Sequence, residues 1–214
     1  MSATTVLFWR HGQTEYNRSG RLQGQVDIPL NDAGHAQAAA AAEILAQVRP
    51  GRIVSSDLQR ARETAQKLAD LTGGEVECDE RFRERSFGDW EGLTHKEITA
   101  SWPEQFRVWE SGGHPEGVGA ETRRATGERV ADGVRAVAAE TDGVLVVVAH
   151  GAAISAGITS LLEQDPEVWR GVTGLGNCHW SLLRPNTGSA PPWRLAAHNV
   201  GLQDPDFTAR RSIR

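Results

Sequence analysis

A chain of 214 residues, 39% of them hydrophobic and 24% charged, has the composition of a globular protein with one sizeable core. Its net charge of −5 argues against a general nucleic-acid binder, and Cys78 and Cys178 form no CxxC pair of the kind that zinc sites use. No hydrophobic run approaches ~18 residues, and no signal-peptide pattern opens the chain, so no membrane partner is expected. We therefore expect a cytoplasmic protein with one domain at 1–202 and a polar tail at 203–214.

The first predicted strand, residues 5–9, ends in three residues that are typical of a ligand site. The strand is apolar on both faces, as in a buried parallel sheet. Arg10, His11 and Gly12 follow at its carboxyl end, where open α/β sheets bind ligands. A guanidinium can hold a phosphate or a carboxylate, and an imidazole can act as nucleophile, base or metal ligand. For an isolated Arg-His pair, a solvated arginine beside a capping histidine remains the ordinary interpretation.

A second strand, predicted at 52–55, also leads to an arginine. Ser56 or Asp57 is expected to cap the helix that follows, and Arg60 then lies in its first turn, near the same edge of the sheet. An ion pair with Glu63 or Glu43 on a helix face is the alternative explanation for this arginine.

The middle of the chain has a loop rich in glycine and aromatic residues, and then a long stretch without clear periodicity. Glu84 lies in the loop among three arginines, and a solvated ion-pair network is its ordinary interpretation. Thr94 and Glu97 form a capping box that predicts a short helix. Residues 102–122 are predicted to be irregular, as lids and binding loops often are.

The most hydrophobic run, residues 144–149, predicts a central parallel strand covered on both faces. It ends in His150 and Gly151, and a helix over 152–162 follows, whose N-terminus is a ready anion site. Two buried strands that end in histidine and glycine predict one site, because ligands bind beyond the carboxyl ends of parallel strands. The remaining predicted elements are helices at 33–48 and 121–140 and strands at 76–78, 178–183 and 193–199.

These motifs resemble the histidine phosphatase superfamily, which is also called phosphoglycerate-mutase-like. The resemblance covers roughly residues 5–202 and implies a single-domain, three-layer α/β sandwich with a mostly parallel central sheet and helices on both faces. Three motifs carry it: an Arg-His-Gly segment with a later Asn, a Ser-Ser-Asp-Leu-x-Arg-Ala segment, and a Glu-x-x-x-Gly-x-x-Glu-Gly segment. Their characteristic residues in this chain are Arg10, His11, Gly12, Thr14, Asn17, Arg60 and Glu84.

The resemblance implies two-step covalent catalysis on a phosphomonoester, with no cofactor. Neutral His11 attacks phosphorus, and Glu84 protonates the leaving alkoxide and then activates water. His150 stabilises the transferring group as a further catalytic residue. A metal held by the two histidines would need carboxylate or thiolate companions that the sequence does not place nearby, so no metal is expected. The implied phosphate ligands are Arg10, Asn17, Gln23, Arg60 and Gly151.

Within the family, the spacing of these residues and a Gly-x-Gly-Asn-x-x-Trp run that ends at Trp180 resemble glucosyl-3-phosphoglycerate phosphatases. This implies a small-molecule substrate with a glycerate carboxylate and a hexose, and a homodimer. A broad-specificity phosphatase, a cofactor-dependent phosphoglycerate mutase and a module that only binds phosphorylated ligands are the alternatives. Mutases of the family usually carry Glu-Ser where this chain has Gln13 and Thr14. Candidates for contacts to the carboxylate and the sugar are His114, Arg123, Arg124, Trp102 and Trp109.

Overall fold

The computed structural model describes residues 2–202 and contains one six-stranded sheet. The order across the sheet is β3-β2-β4-β1-β5-β6, and β5 runs antiparallel to both neighbours while the other strands are parallel. The two most apolar strands, β1 and β4, therefore pair at the centre, as expected for strands without a polar face. The strands are β1 (Ala3–Arg10), β2 (Pro50–Ser55), β3 (Val76–Cys78), β4 (Gly143–Ala149), β5 (Trp180–Pro185) and β6 (Trp193–Val200).

Helices cover both faces of the sheet, which confirms the three-layer α/β prediction. One face packs on α2 and α3, whose alanines allow the helices to approach the sheet closely, and the other face packs on α6 and α7. Successive residues of β1 alternate between the two cores, with Phe8 in one and Trp9 in the other. The helices are α1 (Glu15–Ser19), α2 (Asp32–Leu45), α3 (Gln59–Thr72), α4 (His95–Ser101), α5 (Pro103–Glu110), α6 (Arg123–Glu140) and α7 (Gly151–Leu161).

Strand register brings the carboxyl ends of β1 and β4 together. Arg10 pairs with Ala149, so the next residues of the two strands, His11 and His150, lie side by side. The main-chain N–H of His11 donates to the Ala149 carbonyl at 3.1 Å and continues the parallel ladder into the site. The predicted convergence of the two His-Gly segments is thus a direct result of the pairing of two fully buried strands.

Two local predictions were wrong. The stretch predicted to be irregular contains α5, which begins at Pro103 because proline at the first helical position gives up no hydrogen bond. Leu58, rather than Ser56 or Asp57, precedes the first residue of α3. The N–H of that first residue, Gln59, donates to Asp27 at 2.7 Å, and the Asp57 carboxylate accepts from Arg83 at 2.8 Å and 2.5 Å. The capping box of Thr94 with Glu97 is present as predicted.

A third core holds the aromatic residues that follow the loop at Glu84. Trp90, Phe106 and Trp109 form it, with neighbouring ring centroids 5.6–6.2 Å apart. Among residues 2–202, no helix has both the length and the apolar character that crossing a bilayer requires. The predicted polar tail at 203–214 lies outside the described residues.

Candidate active site

His11 has a fixed orientation at the end of β1 and is only 2% exposed. Its Nδ1 lies 2.7 Å from the Gly12 carbonyl oxygen. A carbonyl only accepts hydrogen bonds, so Nδ1 carries the proton and Nε2 keeps a lone pair. Burial, and then the positive charges of Arg60 and Arg10, hold the pKa of His11 well below its ordinary value. The imidazole is therefore neutral at pH 7 and has the form that a nucleophile requires.

His150 has the opposite tautomer. Arg60 donates from Nε to Nδ1 of His150 at 3.2 Å, and a guanidinium can only donate, so the proton of the neutral ring lies on Nε2. That Nε2 is buried and has no partner among the described residues. Burial lowers the pKa of His150 well below the usual range, and Arg60 adds to the effect. The His11 and His150 ring centroids are 5.1 Å apart, so a ring with a free lone pair and a ring with an unpartnered N–H are neighbours in the site.

The two arginines at this edge have no carboxylate partner within residues 2–202. Arg60 is fully buried and donates to the carbonyl oxygens of Val26 and Gly24, both at 2.7 Å. Arg10 donates from one terminal nitrogen to the Leu175 carbonyl, and its buried Nε has no partner among the described residues. Burial lowers the pKa of Arg60 to about 10. The charge of Glu84 acts on both arginines but forms an ion pair with neither, and two desolvated cations without a direct ion pair favour the binding of an anion.

The helix-face explanation for Arg60 is wrong. Glu63 instead accepts from the Leu30 main-chain N–H at 2.9 Å and from the Gln59 side chain at 2.7 Å. The guanidinium of Arg60 points the other way, to His150.

Glu84 is held by the first turn of α7. Its carboxylate accepts from the main-chain N–H groups of Ala152 at 3.2 Å, Ala153 at 2.8 Å and Arg85 at 2.8 Å. The anion site expected at this helix N-terminus is therefore filled, at these two amides, by a side chain of the protein itself. The alternative of an ion-pair network around Glu84 is also wrong, because it pairs with none of the three neighbouring arginines.

Gly151, another predicted phosphate ligand, lies against Arg10. A Cβ added to it would be 3.5 Å from Arg10 Nε, which is an ordinary contact distance. The Gly151 backbone therefore lies next to an unpartnered donor of the site, and its role in phosphate binding stays a prediction.

Asn17 and Gln23 both use their amide oxygen within the protein. Gln23 Oε1 accepts from the Thr14 hydroxyl at 2.8 Å, and Asn17 Oδ1 accepts from Thr14 N–H at 3.1 Å. The NH₂ group of neither amide donates to another described residue, so both remain free to donate to phosphoryl oxygens. Sequence reasoning missed Asn177, which donates to the carbonyl of His11 at 3.1 Å and to Asn17 at 3.2 Å. The only signal for it was its place in the Gly-x-Gly-Asn run.

Gly12 is required by close packing of the chain behind His11. A Cβ at this position would lie 2.5 Å from the carbonyl oxygen of Gly34 in α2. Gly34 meets the same segment from the other side, where its own Cβ would lie 2.0 Å from the Gln13 carbonyl oxygen. The paired glycines let the loop after β1 lie directly on α2, which fixes the backbone that holds the His11 ring.

Of the five candidates for the rest of a substrate, only Trp109 and Arg123 line a cavity beside this edge. Trp102 packs against the third core, and Arg124 is exposed and pairs with Asp165. His114 does not line that cavity. Within residues 2–202, no three side chains of the usual metal-binding types come together.

The free energy of unfolding should decrease as the pH is lowered, because of the two histidines. Their native pKa values are lowered, so below pH ~6.5 the unfolded chain takes up protons that the native protein excludes. The contribution is fully present above that pH and is lost below it, by up to about 2.7 kcal/mol per pH unit for the pair. We expect a lower Tm at pH 5 than at pH 7 by calorimetry, and a weaker dependence in His11→Asn. An equal Tm at pH 5 and pH 7 would show that the histidines take up protons in the native state.

Several known proteins resemble this chain over most of its length. The model of the histidine phosphatase superfamily (branch 1) matches residues 6–200. The glucosyl-3-phosphoglycerate phosphatase of Mycolicibacterium vanbaalenii is 38% identical over 95% of this chain and 97% of that protein. A mycobacterial glucosyl-3-phosphoglycerate phosphatase in complex with VO₃ superimposes with a TM-score of 0.83 at 40% identity, covering 92% of this chain and all of that one.

A more distant structure has the same fold. The phosphoserine phosphatase of Entamoeba histolytica in complex with 3-phosphoglyceric acid gives a TM-score of 0.74 at 28% identity, covering 92% of this chain and 98% of that one. The match of the family model over nearly the whole described chain, together with these relatives, shows that the chain belongs to the histidine phosphatase superfamily.

Proposed function

We propose that this protein is a phosphomonoester hydrolase that works through a phosphohistidine intermediate, with glucosyl-3-phosphoglycerate as its substrate. The main evidence for the reaction is the pair of complementary histidine tautomers in neighbouring rings, with a lone pair on His11 Nε2 and an unpartnered proton on His150 Nε2. A phosphoryl group between the two rings would meet a nucleophile and a hydrogen-bond donor at the same time.

The phosphoryl oxygens are held by donors that the protein leaves free. Arg10 Nε and His150 Nε2 are buried and unpartnered within the described chain, and the NH₂ groups of Asn17 and Gln23 face no other acceptor there. Arg60 adds its positive charge and fixes the His150 tautomer. Charge on the transferring group is spread over its equatorial oxygens, so fixed donors at this place stabilise the transition state without a metal.

The first step forms a bond between His11 Nε2 and phosphorus and breaks the ester P–O bond. The leaving alkoxide takes the proton of the Glu84 carboxyl group. In the second step the Glu84 carboxylate takes a proton from water, and the water oxygen attacks phosphorus. The P–N bond breaks, its electron pair returns to His11, inorganic phosphate leaves, and Glu84 is again protonated.

The substrate proposal rests on relatives. Two glucosyl-3-phosphoglycerate phosphatases that cover nearly the whole chain are 38% and 39% identical to it, and the solved structure with VO₃ superimposes over 92% of its length. The more distant phosphoserine phosphatase binds 3-phosphoglyceric acid, which is the same substrate without its sugar. By the same resemblance we propose that the protein is cytoplasmic and forms a homodimer. Light scattering tests whether it is a dimer in solution.

A panel of phosphate esters tests the substrate. We expect kcat/KM for glucosyl-3-phosphoglycerate to exceed that for 3-phosphoglycerate, α-ribazole phosphate and hexose phosphates by at least ~10-fold, about 1.4 kcal/mol of discrimination. The product is measured as inorganic phosphate, because a mutase would return an isomeric ester instead. As a control for a metal requirement, the rates are measured again in EDTA, where we expect no change. A smaller preference would indicate that the protein is a broad-specificity phosphatase instead.

A further inference from the structure

The arginines of this protein differ in the partners they have. Most partly exposed ones form ion pairs with carboxylates, whereas the two at the phosphoryl site contact carbonyl oxygens and an imidazole. Among the other arginines without an ion pair within residues 2–202, three line one cavity: Arg85, Arg123 and Arg170. The paired arginines are Arg18, Arg21, Arg52, Arg81, Arg83, Arg124, Arg129 and Arg135.

The cavity has a volume of about 240 Å³ and adjoins the phosphoryl site. Ala152 forms part of its wall, and the N–H of the same residue binds the Glu84 carboxylate. Arg85 makes the same connection, since its main-chain N–H also donates to Glu84. A ligand that fills the cavity would therefore lie directly next to the proposed proton donor of the reaction.

Of the three arginines that line this cavity, Arg123 has the most free hydrogen-bond donors. Its guanidinium forms no hydrogen bond to any described residue, although the side chain is partly buried at the start of α6. The neighbouring acid Glu167 accepts at 3.0 Å from the main-chain N–H of Arg123 rather than from its side chain. Burial lowers the pKa of Arg123, and the neighbouring charge of Arg170 lowers it further.

The two neighbouring arginines are fixed in place by uncharged oxygens. Arg85 is 2% exposed, donates to the Glu121 carbonyl at 2.7 Å and lies 5.4 Å above the Phe87 ring. Arg170 donates to the carbonyl oxygens of Pro166, Gly112 and Glu167. These contacts orient the guanidinium groups without pairing any of them with a carboxylate. The charge of Glu167 lies near enough to raise the pKa of both Arg85 and Arg123, so their positive charge is compensated only in part and the cavity keeps cationic donors for an anion.

We propose that Arg123, supported by Arg85 and Arg170, forms a second anion subsite that binds a carboxylate on the ester while the phosphoryl group lies between the histidines. The protein would thus select phosphate esters with a second negative group one short carbon chain away. This deepens the proposed function, because it names the residues that recognise the carboxylate of a phosphoglycerate. Trp109 and Trp169, which also line the cavity, would then contact the group that the glycerate carries.

The test compares 3-phosphoglycerate with glycerol 3-phosphate, which has a hydroxymethyl group in place of the carboxylate. Binding is measured by calorimetry in a His11→Ala background, so that neither ester is turned over. We expect Arg123→Gln to raise Kd for 3-phosphoglycerate about 10- to 100-fold more than Kd for glycerol 3-phosphate, the effect of one lost charge-assisted hydrogen bond. Arg123→Lys should restore part of the preference.

Arg124→Gln is the matched control. Arg124 is the adjacent residue, it is exposed, and its partner Asp165 does not line the cavity, so the ratio of the two Kd values should not change. Equal changes for both esters in Arg123→Gln, no change, or no preference for 3-phosphoglycerate in the parent would overturn the subsite. Because binding is measured without turnover, this result is independent of whether the ester panel supports the proposed substrate.

Discussion

Replacement of His11 by alanine is expected to reduce kcat for p-nitrophenyl phosphate by at least about 10⁴-fold, the scale seen when a catalytic nucleophile is removed. The neighbouring His150 is no replacement, because it carries its proton on Nε2, the nitrogen that has no partner among residues 2–202. The Gly12 carbonyl also fixes the His11 ring with its lone pair on Nε2, so alanine removes both the nucleophile and its orientation. Steady-state release of p-nitrophenol measures the loss.

The intermediate gives a second measurement for the same residue. Rapid quench of the wild-type protein with phosphate-labelled substrate should leave acid-labile, alkali-stable label on a peptide that contains His11. His35→Ala is a suitable control, because His35 lies partly exposed on α2 and its side chain has only a long contact of 3.9 Å to Glu63. Label on a different residue, or full activity of His11→Ala, would refute the covalent mechanism.

The central sheet could be predicted from sequence because its strands are buried on both faces. Strands β1 and β4 are continuous apolar runs, and such runs admit few alternatives to a parallel strand between two helical layers. Helix α5 could not be predicted in the same way. Its apolar residues Phe106 and Trp109 stand in a short segment between Pro103 and a glycine-rich loop, so local composition concealed the helical spacing.

The site was predictable where it depends on strand ends and not where it depends on packing between distant segments. His11 and His150 follow two strands that must pair, so their proximity is implied by the fold. Glu84 instead reaches the amides of α7 from 68 positions away along the chain, and no local pattern encodes that contact. The free guanidinium of Arg123 is equally invisible in sequence, since its neighbour Arg124 has the same composition around it but pairs with Asp165.

The effect of Glu84→Gln should depend on the leaving group. A general acid contributes about 10²- to 10⁴-fold, and it matters most where a poor leaving group such as an alkoxide must be protonated. We therefore expect a loss of that size in the single-turnover phosphorylation of His11 by glycerol 3-phosphate, and a much smaller loss with p-nitrophenyl phosphate. The ratio of the two losses, rather than either alone, reports the proton transfer.

Glutamine also disturbs the contact with α7, and this separates the two roles of Glu84. Its amide oxygen can still accept from Ala153, but its NH₂ group would oppose the N–H of Ala152, at a cost of about 1–3 kcal/mol in stability. Glu97→Gln is the matched control, because Glu97 also accepts a main-chain N–H, at 2.7 Å, in an exposed capping box. It should leave both rates unchanged. Equal losses on the two esters in Glu84→Gln would mean that Glu84 only positions the start of α7, and that the proton comes from another group.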